Sequence, residues 1–128
     1  MVDYALDASA LLSVLLGERG AEEIVDLLPG AVIGAVNLAE VVAKLQERGV
    51  PENEIEENIA ELDLPVVPFD EAQAIAAGKL RLPTRSLGLS LGDRACLALA
   101  IARGAAAVTT DRSWAGVEVG AKVIVARG

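Results

Sequence analysis

SLGDRACLALAIARGAAAVTTD, residues Ser90–Asp111, decides how this chain is read. Ser90 has the character of a helix cap and Gly104 of a helix stop. The residues between them are almost all small or apolar, which describes a buried helix rather than an amphipathic one. Ala106–Thr110 then reads as a short buried strand. Asp93 falls in the first turn of the helix and Asp111 just past the end of the strand. A helix running straight into a buried strand is half of a βαβ unit, and both acids stand where such folds place their ligands.

Working outward, Val2–Leu6 is a short apolar run suited to a strand and ends at Asp7. Ala8–Leu16 is apolar nearly all round, a buried helix that Gly17 can end. In Ala21–Leu28 the apolar residues Ile24, Leu27 and Leu28 share one helical face, and Pro29-Gly30 makes a turn. Ala31–Val36 is a second buried strand. Asn37 opens the next helix, in which Leu38, Val41, Val42 and Leu45 form a stripe before Gly49. Pro51–Leu62 is an acidic helix with Ile55, Ile59 and Leu62 as its apolar face. Two prolines in Leu64–Phe69 assign that strand to a sheet edge. Asp70 caps a helix over residues 71–80, which loosens into RLPTRSLGLS before Ser90, and Lys122–Ala126 is the last strand. No repeat, low-complexity tract or linker interrupts this alternation, so residues 1–128 are read as one domain. Short apolar strands separated by helices imply an α/β fold: a central, mostly parallel sheet of four to five strands covered by helices on both faces.

Composition narrows the chemistry. The 128 residues include no histidine and one cysteine, Cys96. Nucleophile systems that need histidine, histidine-based ribonucleases and histidine-ligated zinc are therefore excluded, as are an internal disulfide and a cysteine-rich zinc site. Cys96, on the apolar helix, reads as a small buried hydrophobe. Aromatics make up only 2%, too few for a base-stacking platform, so the 53% hydrophobic content must build its core from Leu, Val, Ile and Ala. No apolar run approaches the roughly 18 residues of a membrane span. MVDYALDASALL lacks the basic start of a secretory signal, so a cytoplasmic protein is expected. The net charge of −8 counts against a polyanion substrate unless cations or local basic patches intervene, and it suits a basic partner peptide.

Four acids occupy comparable places. Asp7 follows the first strand, Glu40 lies in the first turn of the helix after the second, Asp93 lies in the first turn of the organising helix, and Asp111 ends the strand after it. Carboxylates converging on one cleft repel each other unless a cation joins them, and with oxygen ligands alone Mg²⁺ or Mn²⁺ is the natural ion. Such an ion could serve an in-line displacement at phosphorus. A local reading stands beside this one. Asn37-Leu-Ala-Glu40 and Ser90-Leu-Gly-Asp93 both fit a capping box, and Asp7 and Asp111 fit Asx turns.

At these residues the chain resembles the PIN-domain family, specifically the ribonuclease toxins of VapBC-type toxin–antitoxin pairs. The resembling segments are LDASALLSVLLGE around Asp7, VNLAEVVAKL around Glu40, LSLGDRACLALAIARG around Asp93 and AVTTDRSW around Asp111. They occur in the family's order and spacing over essentially the whole chain, and the third is the most specific. The resemblance implies a PIN fold and cleavage of RNA, tRNA or ribosomal RNA, with Mg²⁺ or Mn²⁺ activating water. It implies that Asp7, Glu40, Asp93 and Asp111 hold the metal directly or through water, and that Ser9 and Thr109 support Asp7 and Asp111. It further implies a cognate antitoxin whose tail covers the cleft, and a homodimer.

Two positions depart from the family pattern: Gly34 stands where many relatives carry Ser or Thr, and Trp114 replaces the commoner Phe and is assigned to packing. Much of the negative charge sits in Glu52–Glu61, expected to lie away from the cleft. Lys79, Arg81 and Arg85 precede Asp93, with Arg94 and Arg112 beside two acids. Arg85, Arg94 and Arg112 are the candidate RNA contacts. Other classes fit less well. A dehalogenase-like phosphatase needs a second acid where Ser9 stands, a phospho-receiver lacks its acidic pair and late Lys, and no nucleotide-binding glycine loop is present. A non-catalytic PIN-like module that binds only RNA or a partner remains the principal alternative.

Overall fold

Residues 2–126 are described by a computed structural model. Its strands are short: β1 (Tyr4–Leu6), β2 (Ala31–Gly34), β3 (Val66–Val67), β4 (Ala106–Thr109) and β5 (Val123–Val125). They form one sheet in the order β3-β2-β1-β4-β5 with every pairing parallel. The connections carry α1 (Ala8–Leu16), α2 (Ala21–Val25), α3 (Ala35–Glu47), α4 (Glu52–Leu62), α5 (Glu71–Lys79) and α6 (Leu91–Arg103).

Period-two alternation divides the core between the faces of the sheet. Ala5, Val32 and Ala107 lie in register and point to one side, where they pack with Cys96, Leu97, Leu99 and Ala100 of α6 and with Trp114. Their neighbours Leu6, Ile33 and Val108 point to the other side, toward Ala10 and Leu11 of α1, Ile24 of α2 and Val41 of α3. The two alanines on the α6 side are small enough to admit the bulk of Leu97 and Trp114. Trp114 is fully buried, in agreement with its assignment to packing.

The organising helix forms as its sequence directs. Ser90 Oγ accepts the Asp93 N–H and Asp93 Oδ2 accepts the Ser90 N–H, completing a capping box, while Gly104 ends α6 in a left-handed turn at φ 62°. Gly17 ends α1 in the same way at φ 66°.

Several expectations need correction. The strand expected over Ala31–Val36 ends at Gly34, and the helix after it starts at Ala35 from a Gly34 cap that makes no side-chain bond. Asn37 is therefore its third residue and does not open it, and Glu40 falls in its second turn, not its first. Strand and helix join there without a loop, and the Asn37 side chain donates to Glu40 and to the Gly92 carbonyl rather than capping the helix. The strand expected over residues 64–69 shrinks to Val66–Val67, because Pro65 and Pro68 have no N–H to give to a ladder. It does lie at the sheet edge. The helix expected over Ala21–Leu28 ends at Val25, and Leu28–Gly30 forms a separate 3-10 turn with Pro29 near its start.

Candidate active site

The strand order places β1 centrally, with β2 on one side and β4 on the other, so the carboxyl ends of these three strands share one edge of the sheet. Asp7 leaves that edge directly after β1. Helices that return antiparallel to the strands begin there too, which brings Glu40 of α3 and Asp93 of α6 to the same region.

Asp7 is the centre of the site. It is only 4% exposed, and both of its oxygens are engaged. Oδ1 accepts the Ser9 hydroxyl at 2.7 Å and the Ala10 N–H at 2.8 Å, the latter capping α1. Oδ2 accepts the Thr109 hydroxyl at 2.5 Å. The same two hydroxyls bind the β4 exit: Ser9 Oγ accepts the Thr110 N–H, and Thr109 Oγ accepts the Asp111 N–H, each at 3.0 Å. Ser9 and Thr109 thus hold Asp7 in one orientation and tie it to the backbone at Asp111.

Electrostatics show which acids act on one another. Burial pushes the Asp7 carboxyl from 3.8 up to about 6, the charge of Asp93 adds to the rise, and the hydrogen bonds from Thr109, Ser9 and Ala10 oppose it. Glu40 is also raised, first by burial and then by Asp93, against the Asn37 hydrogen bond and the Lys44 charge. The fully buried Cys96 thiol is driven up by burial and then by Asp7, Asp93 and Glu40 together. These three acids therefore share one neighbourhood around Cys96. The charges that raise Asp7 and Glu40 come from Asp93 and not from the glutamates of α4. Asp111 stands apart: its exposed carboxylate accepts the Ser113 N–H at 2.9 Å and caps the 3-10 turn Arg112–Gly116.

The donor set suits a hard divalent cation, because it is all carboxylate oxygen with no ion-paired Lys or Arg among the described residues. Among the described residues the one ion pair is Arg48–Glu18, at 3.5 Å and exposed, so no Lys or Arg of that set is in ion-pair contact with Asp7, Glu40 or Asp93, and Lys44 acts on Glu40 only from beyond that distance. No three acidic or thiol side chains of the described residues are close enough to grip a single ion as they stand. The acids are a donor set of matching chemistry, not a closed cage.

The basic candidates divide. Arg85 and Arg112 are exposed. Arg94 is not available to a phosphate: it is 9% exposed, and one terminal nitrogen donates to the Ala77 carbonyl of α5 at 3.0 Å. Its place in the first turns of α6 points it inward, which its nearness to Asp93 in sequence does not reveal. Three further residues of interest are not legible in the local sequence. Asn37 has the pattern of a cap, yet it is buried and donates to Glu40. Gly92 sits inside a helix where neither cap nor turn needs a glycine, and that is the available signal. Arg19 joins Arg112, Thr110 and Ser13 along an open groove beside Asp111, with Glu18 on its rim, and no local pattern announces it.

Fold and site together define a small parallel α/β protein with a carboxylate-centred site at the strands' carboxyl edge. The sequence profile of the PIN domain matches residues 4–119, and the chain belongs to that family. Solved structures share the fold across nearly its full length. DNA-bound VapBC from Salmonella typhimurium matches at TM-score 0.73 and 21% identity, covering 98% of each chain. A toxin–antitoxin complex from Klebsiella pneumoniae matches at 0.74 and 19%, covering 96% of this chain and 97% of the other. The sarcin–ricin loop cleaving toxin VapC20 of Mycobacterium tuberculosis matches at 0.73 and 15%, covering 94% and 99%. A search of curated protein sequences finds no match. Among the described residues no helix is long and apolar enough to cross a membrane.

Proposed function

We propose that this chain is a metal-dependent endoribonuclease toxin, acting in the cytoplasm as a homodimer and restrained by a cognate antitoxin. The observation that carries the proposal is Asp7: a buried carboxylate, held by two hydroxyls, under the charge of Asp93 and with no Lys or Arg in ion-pair contact among the described residues. Membership of the PIN family and the likeness to toxins crystallised with antitoxins support it. So does the likeness to a toxin described as cleaving the sarcin–ricin loop, and tRNA or ribosomal RNA is the proposed substrate.

Asp7, Glu40 and Asp93 would hold Mg²⁺ or Mn²⁺, with Asp111 contributing directly or through water. When bound, such an ion supplies activation of water and neutralisation of phosphoryl charge. The chain's own residues do the rest. Ser9 and Thr109 keep Asp7 from rotating, so its free lone pairs keep one direction. The buried sheet edge excludes solvent from one side of the acids, which strengthens every charge interaction there. Arg112 and Arg19 line the groove that leads away from Asp111 and would hold the RNA backbone on that side, with Arg85 as a further exposed cation near the start of α6.

The test is cleavage of end-labelled total RNA by the purified chain in Mg²⁺ or Mn²⁺, with EDTA and Asp93→Asn as parallel controls. Discrete products lost in both controls are expected. Intact RNA in both metals, together with no Mn²⁺ binding, would overturn the enzyme reading in favour of a non-catalytic binding module.

A further inference from the structure

Glu40 reaches the site from the second turn of α3, farther from the strand ends than Asp7, so something must fix its carboxylate. We propose that Asn37 and Gly92 form a positioning pair for Glu40. This rests on the nuclease reading for its function but not for its geometry.

Asn37 is 1% exposed and its amide has two hydrogens to give. One goes to Glu40 Oε1 at 3.1 Å, the other to the Gly92 carbonyl at 3.0 Å, across 55 residues of chain. Both partners are acceptors, so the orientation of the amide is unambiguous. The side chain is a bracket between the starts of α3 and α6, and it grips the acid by one arm. Losing either bond would strand a buried donor.

Gly92 is the other half. A Cβ built there would overlap both oxygens and the Cδ of Glu40. Its backbone is ordinary helix, so glycine is not required for conformation, and inside a helix alanine is the preferred residue. What glycine provides is the absence of a side chain, which lets the Glu40 carboxylate lie against the first turn of α6, one residue from Asp93. Because the obstructed atoms are the far end of a flexible side chain, an alanine would displace the carboxylate without disrupting the core.

This separates a positioning role from a structural one. For the full chain, Gly92→Ala is expected to leave the melting temperature within a few degrees of wild type while weakening Mn²⁺ binding at least tenfold, as read by calorimetric titration. Glu40→Gln should weaken binding to a similar degree, and adding Gly92→Ala to it should weaken binding no further. The metal-free protein gives an independent readout. Gly92→Ala should raise the melting temperature in a Glu40→Ala background, where the clash is gone, by several degrees more than in wild type. Additive effects of the two substitutions on melting would overturn the pair, as would wild-type Mn²⁺ affinity in Gly92→Ala. If wild type binds no Mn²⁺ and cleaves no RNA, the nuclease reading fails, and the melting comparison alone decides whether Gly92 positions Glu40.

Discussion

At the residue scale, Asp7 is where fold and chemistry conflict. A carboxylate with both oxygens hydrogen-bonded would ordinarily ionise easily, yet burial outweighs those bonds and raises it from 3.8 to about 6. The folded chain therefore holds this proton more tightly than the unfolded chain does. The contribution to stability is fully present below about pH 4 and is lost as the pH rises through about 6. A rise of that size corresponds to about 3 kcal/mol, and the raised Glu40 acts in the same direction. In EDTA, wild type is expected to unfold at progressively lower urea concentration between pH 4 and 6.5. Asp7→Asn should flatten that decline and be the more stable protein at pH 7.5, and added Mn²⁺ should reverse the ranking. A wild-type midpoint that does not fall over this range would show that burial of Asp7 leaves its ionisation unchanged.

At the scale of elements, the junction of β2 and α3 is incompletely satisfied. Asn37 Oδ1 is buried without a hydrogen-bond partner among the described residues. It would stand 3.5 Å from a Cβ at position 34, and Leu99 Cδ2 would stand 3.4 Å away, an ordinary contact. Gly34 has φ −77° and ψ 155°, a conformation any residue adopts. A serine hydroxyl there could donate to Oδ1, and the substitution also removes the conformational freedom that glycine gives the unfolded chain. Gly34→Ser is expected to add about 1 kcal/mol and raise the melting temperature by about 4 °C in calorimetry. A lower melting temperature would mean that Leu99 cannot yield. The start of α6 is the contrasting case: its capping box lies within a few residues of chain and formed as the sequence indicated.

At the scale of the molecule, charge is divided rather than uniform. Glu52, Glu54, Glu56, Glu57, Glu61 and Asp63 fall in or just after α4 with no Lys or Arg among them. They contribute much of the −8 net charge and are not among the charges that raise Asp7 or Glu40. Arginines flank the candidate groove, Arg19 and Arg112 beside Asp111, and both are exposed. If the groove carries single-stranded RNA, removing one phosphate-binding cation should make the log–log salt slope of binding shallower by about 0.7. Arg112→Gln and Arg19→Gln are each expected to weaken binding several-fold in anisotropy titrations and to flatten that slope. Arg103→Gln, at the far end of α6, should do neither. Equal effects at all three positions would indicate a general charge effect with no defined groove.

What the sequence determined by itself was local. The limits of α1 and α6, their left-handed glycine stops, the Ser90–Asp93 box, the edge position of β3 and the placement of Asp7 after β1 all follow from residues within one or two turns of each other. So does the parallel sheet, since buried strands between helices have few other solutions. The tertiary structure alone decided the rest. It joined Thr109 to Asp7 across 102 residues and Asn37 to Gly92 across 55, turned Arg94 inward, brought Arg19 beside Arg112, and raised the proton affinity of Asp7. Caps and periodicity are encoded in neighbouring residues. Desolvation and close approach depend on which distant side chains arrive, and that is settled only when the sheet has assembled.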